Sequence, residues 1–181
     1  MKYKNEVILK DDVKCLIRNM NENDAAESIR NFVITHTETD FLISYPDEIR
    51  LTIEEEAIIL KMCSKNDNAV KIAAFIDNRI VGTADIDSIS NKEKLCHRAI
   101  FGIAVEKAYW GRGIGRALTL ACIECAKKAG YLQIELEVVA DNNTAIRLYK
   151  SVGFHEYGRI FRGYQARNGW QTLILMSLKL D

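Results

Sequence analysis

This sequence has little proline, no excess of either charge and no long apolar run. It has a single proline, Pro46, in 181 residues, and neither an internal repeat nor a low-complexity tract, so long linkers are not expected. Lys plus Arg and Asp plus Glu both number 25, which gives no general attraction to nucleic acid or to an anionic membrane. No apolar run reaches the roughly 18 residues that a membrane span needs. The expectation is one domain over residues 1–181.

The cysteines indicate a reduced compartment. They are odd in number, and the Met-Lys-Tyr-Lys-Asn start has no apolar signal core, so a cytoplasmic protein is expected. Cys122 and Cys125 form a C-x-x-C, but the pair lies in a predicted helix with no second ligand pair at zinc spacing. We interpret them as packed or helix-surface thiols, and no metal is expected.

Helical and strand periods alternate along the chain, which is typical of one mixed α/β unit. The capping box from Thr52 to Glu55 predicts a helix start, and the turn at 77–79 predicts a hairpin. In chain order, the sequence predicts a first strand over 13–18, a helix over 21–37, a loop over 38–51, a helix over 52–64, strands over 69–77, 80–90 and 97–105, a helix over 113–129, a strand over 132–140, a helix over 142–153 and a strand from 154.

The stretch from His97 to Arg116 combines a strand, a short polar loop and a glycine-rich turn that opens a helix. Backbone N–H groups converge on a phosphate where no Cβ intervenes, and the first helical turn adds unpaired N–H groups. The spacing G-x-G-x-x-R, with only about 65 residues following it, excludes a dinucleotide-binding fold. For the glycines alone, a tightly packed loop is the alternative. The predicted pyrophosphate-binding residues are Gly111, Arg112, Gly113, Ile114, Gly115 and Arg116.

Two motifs carry a resemblance to a known family. Residues 110–115, Trp-Gly-Arg-Gly-Ile-Gly, resemble the acetyl-CoA motif Q/R-x-x-G-x-G/A of the GNAT N-acetyltransferases, with Trp110 at the first position. Residues 142–154 match N-x-x-A-x-x-L-Y-x-x-x-G-F at every specified position. The motifs cover roughly residues 97–157, and the aromatic-Trp-Gly run resembles the branch of ribosomal-protein N-terminal acetyltransferases.

The resemblance implies an α/β fold of the α+β type, with a mixed, mostly antiparallel central sheet flanked by helices. The sheet is expected to splay between the strands that end at Val105 and Ala140, where acetyl-CoA enters. The implied activity is transfer of an acetyl group from acetyl-CoA to an amine. No cysteine lies in either motif, so transfer is expected to be direct rather than through an acyl-enzyme.

Site residues are carried over by position within the motifs. The backbone of Ile103, Ala104 and Val105 is expected to pair with the pantetheine arm and to polarise the thioester carbonyl. Asn142 is expected to hydrogen-bond acetyl-CoA near its sulfur, and Tyr149 to protonate the departing thiolate. A phenol with a pKa of about 10 is protonated at neutral pH and can donate to a thiolate. A packed core tyrosine is the alternative.

An amine arrives mostly as an ammonium, so a base is needed. Glu137, five residues before Asn142, matches the acidic position of the ribosomal-protein branch; a purely structural carboxylate is the alternative. Another family position for a carboxylate is occupied by Ala99. We interpret Glu135 as part of a solvated strand face. Glu135 and His97, which lies at the start of the central strand, are weaker candidates for the base.

Two polar clusters are candidates for the acceptor site, although both are also consistent with plain solvated surface. Acidic residues beside aromatics suit an ammonium, whereas arginines suit an acceptor with carboxylate or phosphate. A protein N-terminal amine and a small amine both stay open, as does a homodimer. A non-catalytic acyl-CoA-binding module on the same fold is the alternative function. The clusters are Asp40, Phe41, Tyr45, Asp47 and Glu48 in the loop, and Arg159, Arg162, Tyr164 and Arg167 near the C-terminus.

Overall fold

The described part of the chain forms eight strands and four α-helices. This computed structural model describes residues 2–180. The strands are β1 (Lys4–Ile8), β2 (Lys14–Asn19), β3 (Val70–Ile76), β4 (Arg79–Ser88), β5 (Arg98–Val105), β6 (Gln133–Val139), β7 (His155–Ala166) and β8 (Gly169–Lys179), and the helices are α1 (Ala25–Thr37), α2 (Ile53–Ser64), α3 (Ile114–Lys128) and α4 (Asn143–Ser151). The expected mixed α/β class is confirmed.

The sequence pattern predicts a strand over 13–18 as the first in the chain. The strand is present as β2, but the prediction that it comes first is wrong. β1 precedes it and pairs with β2 as an antiparallel edge, with Lys4 opposite Arg18. Its residues are mostly exposed, so β1 lacks the apolar alternation by which a strand is recognised in a sequence.

All strands join one sheet in the order β1-β2-β3-β4-β5-β6-β8-β7. Every neighbouring pair is antiparallel except β5 and β6, which run parallel. Their ladder covers only three residue pairs and ends at Ile100 opposite Glu135, although β5 continues to Val105 and β6 to Val139. The two strands therefore separate at their C-terminal ends, as expected from the resemblance.

The turn between β3 and β4 has the geometry that its residues predict. Asp77 and Asn78 have φ angles of 50° and 63°, which fit the two central positions of a type I′ turn. The hairpin is therefore tight, and a bulge between Ala74 and Phe75 then shifts the register by one residue, which places Lys71 opposite Asp85.

Helix α3 packs on one face of the sheet. Its Ile114, Leu118, Ala121 and Cys125 are each at most 1% exposed, which confirms the predicted apolar face. Cys122 is fully buried beside them, so both cysteines of the C-x-x-C pack in the core. Gly130, with φ of 82°, ends the helix in the left-handed conformation typical of a helix terminus.

Helices α1 and α2 cover the opposite face. The predicted capping box of α2 is present, because Glu55 N donates to Thr52 Oγ1 (3.2 Å) and Thr52 N donates to Glu55 Oε2 (2.8 Å). Leu60 on α2 packs with Ala73 of β3 and Ile80 of β4 in a small second core. The sheet is thus buried on both faces next to β5.

A buried carboxylate ties α1 to the end of β5. Glu106 follows the last residue of β5 and is 2% exposed. It accepts hydrogen bonds from Arg30 (2.8 Å) and Asn31 (3.0 Å) of α1 and from Arg79 (3.0 Å) of β4. The loop that leads to the glycines is therefore held at its start.

Within residues 2–180, no helix is both long and apolar enough to cross a membrane. The same part of the chain has no cluster of three or more His, Cys, Asp or Glu side chains arranged to hold a metal ion.

Candidate active site

A cavity of about 680 Å³ occupies the gap between β5 and β6. Its walls are the C-terminal ends of the two strands, the first turn of α3 and one side of α4. The larger cavity, as we call it, brings together residues from both sequence motifs, which are distant in the chain. The predicted site residues that line it are Ile103, Ala104, Val105, Gly111, Gly113, Ile114, Gly115, Arg116, Glu137, Asn142 and Tyr149.

The N-terminus of α3 begins in a glycine-rich turn and leaves backbone N–H groups unpaired within the described residues. Gly111 and Gly113 have φ angles of 77° and 103°, and a Cβ at either position would meet nothing within 4 Å. Glycine is therefore required by backbone conformation rather than by packing. Among residues 2–180 no side chain caps the helix, and Ala117 N donates to the Gly113 carbonyl. The earlier N–H groups are free for a ligand such as a pyrophosphate.

The third glycine has a different role. A Cβ on Gly115 would lie 3.2 Å from Leu148 of α4, so this glycine lets α3 and α4 approach closely. Arg116, one residue later, donates from its guanidinium to Ser151 Oγ on α4 (2.8 Å). These contacts bring α4, and the motif residues that it carries, to the edge of the larger cavity.

The guanidinium of Arg112 lies elsewhere. It pairs with Asp11 in the β1–β2 turn and stacks on the Tyr109 ring at 5.1 Å, and Arg112 does not line the larger cavity. The Arg112 side chain therefore adds no positive charge to the predicted pyrophosphate site. The backbone N–H of Arg112 remains the group that the motif predicts as a ligand.

Trp110, which departs from the motif, closes the loop. Its indole Nε1–H donates to the carbonyl of Val105 at 2.7 Å, and the residue lines the larger cavity. A backbone carbonyl at the open end of β5 is thereby satisfied within the loop itself. Trp110 therefore has a structural role in this loop.

Helix α4 presents Asn142 and Tyr149 to the same cavity. Asn142 caps the helix by accepting a hydrogen bond from Ala145 N (3.1 Å), which leaves its Nδ2 group to donate to a ligand. Tyr149 is 6% exposed and contacts the rings of Phe101 (6.1 Å) and Phe154 (5.9 Å). Burial raises the pKa of Tyr149 above its usual value, so its hydroxyl stays protonated. Packing and proton donation are both available to this side chain.

Glu135 and Glu137 share a face of β6 but differ in surroundings. Glu135 is 6% exposed and accepts a hydrogen bond from Arg98 Nη2 at 2.7 Å. This bonding lowers the pKa of Glu135, so the carboxylate is held by a cation and cannot act as a base. The interpretation of Glu135 as solvated is wrong: it is a buried ion-pair partner. Glu137 is exposed and lines the larger cavity, and within residues 2–180 it has neither an ion pair nor a hydrogen bond.

His97 does not reach the site. It is exposed in the turn that precedes β5, and its carbonyl accepts a hydrogen bond from Leu132 N (2.9 Å). The opposite end of β5 lines the larger cavity, so the weaker candidate for the base is far along the strand.

A smaller cavity, of about 410 Å³, lies between α1, the 38–51 loop and strands β3 to β5. It adjoins the larger cavity along Gly102, Ile103 and Ala104, which line both. Asp85 of β4 also lines both cavities, and sequence reasoning missed it. Asp85 and Asp87 alternate with buried Ala84 and Ile86, a pattern that marks a polar strand face but does not locate it beside β5.

The two polar clusters proposed for the acceptor meet each other. The guanidinium of Arg167 at the β7–β8 turn pairs with Asp47 (2.7 Å) and stacks on the Tyr45 ring (3.9 Å). Asn168 Nδ2 donates to Asp40 Oδ2 (3.3 Å). Tyr45 and Asp47 of the first cluster therefore connect the 38–51 loop to Arg167 of the second, and the paired charges of Asp47 and Arg167 stay exposed at the surface.

A family profile described as "Acetyltransferase (GNAT) family" matches residues 31–154. This range spans both walls of the larger cavity and the first turn of α3. The chain belongs to the GNAT acetyltransferase family.

Two curated relatives and one solved structure extend this GNAT assignment. The chain is 37% identical over 100 residues to the L-amino acid N-acetyltransferase AaaT of Escherichia coli K12, covering 55% of this chain and 60% of the relative. It is 38% identical over 111 residues to the [Ribosomal protein bS18]-alanine N-acetyltransferase of the same organism, covering 61% and 66%. The chain thus spans less than two thirds of each relative.

The solved structure covers more of the chain. A GNAT-family acetyltransferase from Streptococcus pneumoniae has a TM-score of 0.87 and 30% identity, and the match covers 92% of this chain and 99% of that one. The resemblance deduced from the two motifs is therefore confirmed at the level of family and fold.

Proposed function

We propose that this chain is an N-acetyltransferase that moves the acetyl group of acetyl-CoA directly to a primary amine. The observation that carries the proposal is the gap between β5 and β6, which opens beyond Ile100 and Glu135. The turn that gives α3 its unpaired N–H groups lies at one end of this gap, and Tyr149 lies on its wall. Phosphate binding and acyl transfer are therefore supported at adjoining places.

The backbone supplies most of the binding. Residues 103–105 of β5 have no partner strand on their β6 side, so they can pair with an extended amide-bearing chain as an added strand. Their N–H groups can also polarise a thioester carbonyl. The N–H groups of 111–116 would hold the pyrophosphate, and Asn142 Nδ2 would donate near the sulfur. Acetyl-CoA supplies the activated acyl group, a thioester open to attack by nitrogen.

Two side chains are proposed to move protons. Glu137 would take a proton from the acceptor's ammonium, directly or through water, and its freedom from any ion pair supports this role. Tyr149 would give its hydroxyl proton to the departing sulfur. Its raised pKa keeps that proton in place until a thiolate forms beside it.

Direct transfer is supported by the positions of the thiols. Cys15, Cys122 and Cys125 are buried in the core, and none of the five cysteines lines the larger cavity. Burial raises the pKa of Cys125 to about 11, so its thiol is not ionised at neutral pH. We also propose a cytoplasmic location, on the ground that all five thiols are free.

The names of the relatives support an amine acceptor without choosing one. One relative is named for L-amino acids and the other for the alanine of a ribosomal protein. Both names describe transfer to an amine. The acceptor in this proposal is a primary amine, either of a protein N-terminus or of a small molecule.

Calorimetric titration with acetyl-CoA tests the first step, using two matched glycine variants. Gly113→Ala and Gly130→Ala both force a left-handed backbone on a residue with a Cβ, and in both the new Cβ meets nothing within 4 Å. Each is expected to cost about 1–2 kcal/mol of stability, but only Gly113 lines the larger cavity. We expect micromolar binding, near −8 kcal/mol, that weakens at least tenfold in Gly113→Ala alone.

Thiol release in the presence of amines tests the second step. A protein that binds acetyl-CoA but releases no free CoA above hydrolysis with any amine would be a binding module instead of an enzyme. Absence of acetyl-CoA binding by the natural chain would contradict the proposal at its first step.

A further inference from the structure

The smaller and larger cavities meet above the middle of β5. Their shared lining includes Gly102 and Ala104, two small residues, together with Asp85 from β4. Among residues 2–180, Asp85 is the ionisable residue that lines both cavities. A ligand in the smaller cavity therefore has to pass this carboxylate to reach the proposed thioester position.

Gly102 makes room for the Asp85 carboxylate. The two residues lie directly opposite each other in the β4–β5 ladder. A Cβ on Gly102 would lie 3.0 Å from Asp85 Oδ1 and 3.3 Å from Oδ2. Glycine here preserves space over the central strand, in contrast to Gly113, where it serves the backbone conformation.

Asp85 and Glu137 flank this space from its two sides. The parallel ladder of β5 and β6 ends with Ile100 opposite Glu135, and two residues further along each strand come Gly102 and Glu137. Because side chains repeat every two residues along a strand, Asp85, Gly102 and Glu137 all lie on the same face of the sheet. A cation above Gly102 would have one carboxylate on each side.

Lys71 is the cation nearest to Asp85 along the sheet, and its charge opposes the rise in the pKa of Asp85 without forming an ion pair among the described residues. The Asp85 carboxylate likewise has no hydrogen bond within residues 2–180. Burial raises the pKa of Asp85, which reflects the cost of an ionised carboxylate with too little solvent and no close partner. A bound ammonium would remove that cost.

The walls of the smaller cavity are largely apolar. They include Ile29, Phe32 and Val33 of α1 and Leu42 and Ile43 of the 38–51 loop. That loop contacts the β7–β8 turn through Arg167 and its partners, and we expect this contact to limit the room for a continuing peptide chain. A carboxylate on the carbon that bears the amine would lie near both acids, which disfavours amino acids.

We propose that Asp85 binds the ammonium group of the acceptor above Gly102, and that the acceptor is a small primary amine whose apolar body fills the smaller cavity. This inference rests on the proposed function and specifies its acceptor. Asp85 holds the nitrogen, while Glu137 remains the base.

The protons balance in this arrangement. The ammonium gives its first proton to Glu137, and the nitrogen forms its bond to the acyl carbon as the carbon–sulfur bond breaks. Tyr149 gives its proton to the sulfur and recovers the second proton from nitrogen, and Glu137 releases its proton to water. The sum is one amide, one thiol and one proton, with Asp85 ionised throughout.

A panel of four acceptors tests the substrate class by thiol release: 2-phenylethylamine, ethylamine, L-phenylalanine and a tripeptide that begins with phenylalanine. Ethylamine lacks the apolar body, L-phenylalanine adds a carboxylate, and the tripeptide adds a peptide chain. We expect kcat/KM for 2-phenylethylamine to exceed each of the others by about 100-fold. Equal or greater activity with the amino acid or the peptide would overturn the inference and leave the proposed function intact.

Two variants test Asp85 itself. Asp85→Asn keeps the shape and removes the charge, and the KM for 2-phenylethylamine is expected to rise about 10- to 100-fold. The kcat and the KM for acetyl-CoA are expected to stay within about threefold. Gly102→Ala, which fills the space, should raise the same KM. The matched control is Asp87→Asn, an exposed acid on the same face of β4 that lines neither cavity.

Each outcome has one interpretation. An unchanged KM in Asp85→Asn, or a fall in kcat alone, would overturn the ammonium-binding role. If the natural chain acetylates none of the four panel amines, the proposed acetyl transfer is contradicted for the amines tested. The melting temperature with 2-phenylethylamine then decides the inference: a rise in the natural chain that is absent from Asp85→Asn supports the binding site, and no rise overturns it.

Discussion

The indole N–H of Trp110 donates a 2.7 Å hydrogen bond to the backbone carbonyl of Val105. The two residues enclose the turn that leads from β5 to the glycines, and Glu106 within that turn is held by Arg30 and Arg79. The position and direction of the unpaired N–H groups on α3 therefore depend on this short loop. Trp110, which departs from the family motif, therefore helps to hold the candidate phosphate site in place.

Trp110→Phe is expected to weaken acetyl-CoA binding about two- to tenfold. The variant keeps an aromatic ring but removes a hydrogen bond worth about 0.5–1.5 kcal/mol. Calorimetric titration measures the change. Trp170→Phe is the control, because Trp170 is 54% exposed and lies on β8, outside the larger cavity; a similar loss of affinity in that variant would contradict a specific role for Trp110.

Tyr149→Phe is expected to lower kcat about 100- to 10,000-fold with little change in acetyl-CoA affinity. The ring packing against Phe101 and Phe154 is retained, and only the proton donor is removed. Steady-state kinetics and calorimetry with acetyl-CoA are the measurements. In the control, Tyr157→Phe, an exposed tyrosine on β7 is changed, and activity should persist. Retention of more than about a tenth of kcat in Tyr149→Phe would assign this residue to packing alone.

Glu106→Ala is expected to reduce the free energy of unfolding by about 1.5–3 kcal/mol. Removal of this buried acid takes away hydrogen bonds to charged groups, while Arg30 and Arg79 are partly exposed and can be hydrated in the variant. Urea denaturation provides the measurement. Glu124→Ala removes an exposed partner of Lys128 on α3, where about 0.5 kcal/mol or less is expected; equal losses in the two variants would refute the importance of burial.

Asp85→Asn is expected to melt at a higher temperature than the natural chain at pH 7. Burial raises the pKa of Asp85 in the folded state. The stability contribution of such an acid is present below its unfolded pKa of about 4 and is lost as pH rises through the folded pKa. The two proteins should therefore converge near pH 4, and differential scanning calorimetry from pH 4 to pH 8 follows the difference.

Burial sets the sign of this effect, and the charged groups around Asp85 modify its size. Lys71 on β3 opposes the rise in the pKa of Asp85, and Asp87 on β4 adds to it. His36 of α1 and Glu56 of α2 line the smaller cavity with it. A lower melting temperature for Asp85→Asn at pH 7 would mean that the charged acid stabilises the free protein, contrary to the arrangement described above.

Local sequence patterns determined much of the fold. The capping box of Thr52 and Glu55, the left-handed pair Asp77 and Asn78, and the apolar stripe of α3 each rest on interactions within a few residues of the chain, so they can be read without knowledge of the rest. The two motifs likewise predicted which residues line the larger cavity, because their backbone conformation and helix position follow from glycine, asparagine and helical spacing.

The tertiary structure alone decided which charges remain free. Arg112 pairs with Asp11, Glu135 with Arg98 and Arg167 with Asp47, and each of these contacts joins elements whose relative position no local pattern records. Asp85 became a candidate for acceptor binding only when the β4–β5 register placed it over Gly102. Pairings across a sheet depend on how distant strands align, and a shift of one residue would turn these side chains to the opposite face.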